Sequence, residues 1–116
     1  MSMIEKRKIY ISSWIREEFD EDDNPIQIYD EPYSIECTLN SMNGSYDIAV
    51  YGERVKKMCK TILDYEMISK IKEKDAVYLY GANPNKEKVH GEHANYFVVA
   101  VLPQNKKIQV HFEKNI

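Results

Sequence analysis

Three short runs rich in β-branched and aromatic residues, Ala76–Tyr80, Tyr96–Leu102 and Ile108–Phe112, fill the last third of the chain, with turn-forming residues between them. Strands this short and this regularly spaced, with turn signals between them, point to an antiparallel arrangement. They fit a small antiparallel β-barrel or sandwich. The expected class is mainly β, with one short helix and long exposed loops.

A chain of 116 residues has room for one domain, 1–116, with one core that buries roughly two-thirds of the unfolded surface. Charged residues make up 30% of it, and no apolar run approaches the ~20 residues that span a bilayer, so no membrane partner is expected. The opening MSMIEKRKIYISSW is basic without an apolar centre or a small-residue cleavage site. It does not read as a secretory leader, and a cytoplasmic origin is the expectation.

Along the chain, Ile9–Ile11 and Trp14-Ile15 suggest a first strand, followed by an acidic loop from Glu17 to Asn24. Ile26–Tyr29 alternates briefly, and Pro32 then interrupts pairing because it lacks an amide donor. Tyr33–Leu39 alternates cleanly, as a half-buried strand should. Asn43-Gly44 is a strong hairpin signal and predicts Tyr46–Tyr51 as the return strand. Over Glu53–Asp64 the spacing of Val55, Met58, Cys59, Ile62 and Leu63 is helical, while the β-rich context favours a strand, and a strand is the reading taken. Asp64–Ser69 reads as a short helical turn with Asp64 as its N-cap. Ile71–Asp75 leads into the strand Ala76–Gly81, and Ala82–Asn95 is a polar surface loop long enough to reach a neighbour. A final hairpin turns through Pro103–Lys106.

Little of this resembles reactive chemistry. His90 and His93 lie on the loop without a third ligand, and His111 alternates with Val110 and Phe112 on the last strand, so no metal site is assigned. Cys37 and Cys59 sit in apolar runs and read as free, partly buried thiols. Phosphate-cradling and dinucleotide motifs are absent, and Ser12 and Ser13 lack the glycines of a nucleophile elbow. The carboxylates form a run rather than an opposed pair in an apolar pocket. The reading is therefore no enzyme, no catalytic residues and no cofactor.

Charge is unevenly spread. Acidic residues crowd Glu17–Glu31, while Arg54, Lys56, Lys57, Lys60, Lys70, Lys72 and Lys74 enrich the middle. Ordinary solvated faces explain this, and so does a molecule with one acidic and one basic edge that packs head to tail. Tyr33, Tyr51, Tyr78 and Tyr80 read either as strand packing or as interface anchors. The net charge of −3 disfavours a conventional nucleic-acid groove.

Tyr51-Gly52-Glu53, Ile71-Lys72 with Asp75, and Asn95-Tyr96-Phe97-Val98-Val99-Ala100-Val101 followed by Ile108–Phe112 occur in a suggestive order. That order resembles the head-closure (head-completion, head–tail joining) type of bacteriophage head–tail connector. The resemblance implies a structural virion protein, assembled in the bacterial host cytoplasm and placed at the head–tail junction. It would be a β-barrel subunit that forms a homo-oligomeric ring in the particle and can be a monomer in isolation. The ring would close the portal, retain DNA and dock the tail, with portal or adaptor and tail proteins as partners. Packaged DNA would pass through without sequence-specific binding. On this resemblance, the acidic loop with Glu17, Glu18, Asp20, Glu21, Asp22 and Asp23 would face the channel, where negative charge repels phosphate. Arg54, Lys56, Lys57 and Lys60 would form a subunit interface. The loop bearing Asn83, Asn85, Lys86, Lys88, His90 and His93 would meet a partner. A helix over Glu53–Leu63 would instead favour a tail-terminator or adaptor-type connector. A small β-barrel regulatory or nucleic-acid-binding module and an enzyme accessory domain are the readings from other classes.

Overall fold

A computed structural model describes residues 6–115 of the chain. The reading of the basic opening as no leader rests partly on residues 1–5, which lie outside the described residues. The described chain runs β1 (Arg7–Ser12), β2 (Trp14–Phe19), β3 (Pro25–Tyr29), β4 (Tyr33–Cys37), β5 (Asn40–Ser41), α1 (Ser45–Tyr51), β6 (Met58–Asp64), β7 (Ala76–Tyr78), β8 (Tyr96–Gln104) and β9 (Lys107–Lys114). Short 3-10 helices cover Gly52–Lys57 and Tyr65–Ser69.

Seven strands form one antiparallel sheet in the order β4-β1-β7-β8-β9-β6-β5, curled into a half-barrel. The mainly β class with a single short α-helix is therefore as expected, although the barrel does not close. Alternation places Ile9 and Ile11 of β1, Val77 of β7, and Ile108, Val110 and Phe112 of β9 on the concave face, where all are buried. On β8 a bulge between Val98 and Ala100 shifts the register, so that Val98 opposes Phe112 and Val101 opposes Val110. One extra residue lets two valines spaced by three reach the same core. Ile71, buried ahead of β7, caps the cluster.

The remaining pair, β2 and β3, bonds only to itself and forms a two-stranded arm. The sequence suggested a single strand through Ile9–Ile15. The chain instead leaves the main sheet at Ser13, and β2 begins a separate ladder at Trp14. The arm lengthens the molecule to 53 × 28 × 25 Å, with a radius of gyration of 14.8 Å. A compact chain of this length would have about 13 Å.

One further expectation fails, and two hold in part. The predicted return strand Tyr46–Tyr51 is the helix α1. Its residues have high β-propensity, but Asp47 and Tyr51 are four apart and therefore share a helical face. Asp47 reaches Lys60 Nζ on β6 at 2.9 Å, and Tyr51 reaches His111 Nδ1 on β9 at 2.7 Å. Long-range polar contacts overrule local preference. Over Glu53–Asp64 both readings hold in part: the chain is 3-10 helical to Lys57 and a strand from Met58. Asp64 does take the cap position before Tyr65, but its side chain makes no cap bond and pairs with Lys107 at 2.6 Å.

The terminal hairpin turns through Asn105 and Lys106, with φ of 31° and 58°. Such two-residue turns favour glycine at the second position, because a side chain there is strained. Lys106→Gly is expected to raise stability by about 0.5–1 kcal/mol. Urea denaturation measures this, and an unchanged or lowered midpoint would show that the turn is unstrained.

Candidate interaction surfaces

Asp75 joins the arm to the body. Its fully buried carboxylate accepts the Trp14 amide at 2.9 Å and the Lys72 amide at 3.1 Å, and pairs with Lys72 Nζ at 3.2 Å. The segment Ile71–Asp75 thus has a physical logic: Ile71 enters the core, while Lys72 turns back onto the carboxylate three residues later. Burial pushes the Asp75 carboxyl up from the usual range, and the two amides and the Lys72 ammonium oppose that shift. The charge is felt nearby. Burial first, then Asp75, drives the Tyr33 phenol up to about 12. The Tyr33 hydroxyl itself is buried without a hydrogen-bond partner among the described residues.

Other contacts set the arm's direction. Lys74 lies over the Trp14 ring at 4.5 Å, and the Asp30 amide donates to Ser13 at 2.8 Å. Along one face, Trp14 Nε1 donates to Gln27 Oε1 at 2.6 Å, and Gln27 Nε2 donates to Glu17 at 3.1 Å. On the other face, Arg16 pairs with Glu18 at 2.6 Å. Glu17 and Glu18 are therefore strand residues, and the expected acidic loop shrinks to the tip, Asp20–Asn24. There the Asp20 carboxylate accepts the amides of Asp22 and Asn24, both at 2.9 Å. These bonds, the Asn24 amide foremost, hold its carboxyl below the usual range. Asp23 adopts φ of 62°, a left-handed turn that Asp tolerates. Glu21, Asp22 and Asp23 stand exposed at the end.

The loop from Ala82 to Asn95 is organised rather than slack. The buried Tyr78 hydroxyl donates to Glu87 at 2.8 Å and accepts the Gly91 amide at 2.9 Å. Asn95 mimics a strand neighbour: its amide group bonds both the N–H and the C=O of Leu79 at 2.9 Å. Gly91, with φ of +90°, lies against the arm, where an added Cβ would come within 2.5 Å of the Tyr29 ring. The structure thus brings the arm and the proposed partner loop side by side. Asn83 and Asn85 belong to a turn fixed by their own side chain–backbone bond at 2.9 Å. Lys86, Lys88, His90 and His93 are exposed. No cluster of three or more metal-ligating side chains occurs among the described residues.

The basic run lies beside α1 and is half engaged within the chain. Arg54 makes a two-pronged contact with Glu113, at 2.6 and 3.0 Å, and Lys60 holds the buried Asp47. Lys56 and Lys57 form no ion pair among the described residues. Beneath them His111 is buried, with Nε2 donating to Gln109 Oε1 at 2.7 Å and Nδ1 accepting the Tyr51 hydroxyl. Burial holds this imidazole below its usual pKa. Among the suggested tyrosine anchors, Tyr78 is fully buried and Tyr51 is bonded inward, while Tyr80 remains exposed. Cys37 and Cys59 are free and buried, as expected, and burial raises the Cys59 thiol to about 11. Such thiols are poor nucleophiles at neutral pH.

No protein-family model matches the chain, and no curated protein matches it by sequence. Among solved structures, the solution structure of protein SF1141 from Shigella flexneri 2a superposes with a TM-score of 0.57. It is 12% identical, and the match covers 99% of this chain and 97% of that one. The likeness is one of fold. No described helix is long and apolar enough to cross a membrane.

Asp75→Ala removes the acceptor of the Trp14 and Lys72 amides and the partner of the Lys72 ammonium. It should cost about 2–4 kcal/mol in urea unfolding and speed amide exchange along Trp14–Tyr29. A loss under about 1 kcal/mol with unchanged exchange would remove Asp75 as the anchor. His111 gives a pH signature. Its folded pKa is depressed, so its stabilisation is complete above about 6.5 and is lost as pH falls through the folded value. The stability difference between wild type and His111→Gln should shrink on acidification from pH ~7 to ~5. A constant difference would mean that His111 is not held neutral.

Proposed function

We propose that this chain is a structural subunit of the head–tail junction of a tailed phage or phage-like particle, where it forms a ring that closes the portal and retains DNA. The observation that carries this reading is the arm. A two-stranded ladder projects from a half-barrel, is fixed at its root by Asp75, and ends in the exposed carboxylates Glu21, Asp22 and Asp23. In a ring, such tips bring a band of negative charge to the channel. Phosphates are repelled from that wall, so DNA passes without being bound. Support also comes from residues behind the family resemblance, several of which have a structural task. Tyr51 bonds His111, Gly52 ends α1 with φ of 60°, Lys72 and Asp75 close on one another, and Asn95 bonds Leu79 just beyond β7.

The role proposed is mechanical rather than catalytic. The nearby loop from Ala82 to Asn95 offers its exposed Lys86, Lys88, His90 and His93 to portal, adaptor or tail proteins.

Deleting the gene should leave heads that leak DNA and fail to join tails, as seen by electron microscopy of particles. Glu21→Gln/Asp22→Asn/Asp23→Asn should restore joining but retain or release DNA abnormally, because Asp20, which ties the tip, is untouched. Normal particles from the deletion strain would end this reading.

A further inference from the structure

The helix α1 is inside out. Asp47 is its one buried residue, while Tyr46, Ile48 and Val50 are 68%, 51% and 54% exposed. A surface helix ordinarily turns its apolar stripe inward and its charges outward. The arm shows a related pattern, with Phe19 64% and Ile15 44% exposed among carboxylates. Scattered apolar residues on a surface are ordinary, but clustered ones mark a contact.

The charges around the two clusters are opposite. Between Trp14 and Tyr29 the arm carries six carboxylates and one arginine. Beside α1, once Arg54 is committed to Glu113 and Lys60 to Asp47, Lys56 and Lys57 stand against the single exposed carboxylate of Glu53. Within one chain the arm makes no hydrogen bond or ion pair with α1 or the following 3-10 helix among the described residues. We propose that the ladder of one copy's arm, with Ile15, Glu17, Glu18 and Phe19, docks across α1 and Lys56-Lys57 of the next and leaves the tip carboxylates free, covering both apolar clusters in a head-to-tail contact. A pair of helices meeting face to face would oppose lysines, and a pair of arms would oppose carboxylates. The contact is therefore heterologous, and repeated it makes a ring or a helical array. Closure into a ring rests on the function proposed above, whereas the pairing itself is a property of the isolated chain.

Charge exchange tests it. Lys56→Glu/Lys57→Glu reverses the basic patch, and Glu17→Lys/Glu18→Lys reverses the ladder of the arm and leaves the tip carboxylates in place. Sedimentation velocity on concentrated protein at low salt should show association of the wild type. Each variant alone should associate more than about tenfold more weakly. Their mixture should recover, because the reversed arm of one variant meets the reversed patch of the other, and the native arm meets the native patch. Ile48→Asp, at an exposed site, should abolish association while circular dichroism stays unchanged. A wild type that remains monomeric, variants that associate normally, or a mixture that stays dissociated would each overturn the contact. The same variants in particles separate this inference from the function. Lost association with normal particles removes the head-closure role and keeps the contact. Defective particles from a chain that never self-associates remove the contact and keep the role.

Discussion

The two-stranded arm is rooted on the buried carboxylate of Asp75. A two-stranded hairpin alone in water is marginal at best. Here its first amide is held by a charge that the core surrounds and that Lys72 compensates. Burying such a charge is costly, and a hydrophobic replacement of the whole arrangement would often be as stable. What the charge supplies is direction. Together with Lys74 over the Trp14 ring and the Asp30–Ser13 bond, it sends the arm along one line, where Tyr29 meets Gly91 of the long loop.

The same division between packing and polar latches explains which parts of the fold were legible. The concave-face residues of β1 and β9, and Tyr33, Ile35 and Cys37 of β4, which pack into the same core, announce themselves by alternation, since a period of two leaves no other face for them. The terminal hairpin was legible too, because Asn105 marks its turn. The helix α1 was not. Its apolar residues face water, and what it turns inward is Asp47 and Tyr51, whose partners Lys60 and His111 lie far along the chain. No local pattern encodes a pairing of that separation. The arm was half visible: its strands alternate, but the break at Ser13 depends on Asp75, sixty-one positions from Trp14.

The candidate surfaces divide in a similar way. Charge counts pointed to an acidic and a basic region, and both exist. They could not show that Glu17 and Glu18 belong to a ladder, or that Arg54 and Lys60 are already engaged. Nor could polarity reveal that the loop before β8 is tied down. Glu87 and Asn95 look like ordinary solvated residues until Tyr78 and Leu79 are placed beneath them. The one usable signal was the sequence Ile71-Lys72 followed by Asp75, where an apolar anchor, a base and an acid fall at the spacing of a closed turn.

The strand order has a mechanical consequence. The arm continues from β1, which has β4 on one side and β7 on the other, and is not hung from a free edge. Tension applied at Asp22 passes through Ser12 to β7 and through Ile11 to β4, into two ladders along the strand rather than across it. Hydrogen bonds stressed in that direction share the force and fail together, whereas an edge strand would peel away one bond at a time. A push or pull at the tip therefore moves the half-barrel as a body before it unravels any part of it.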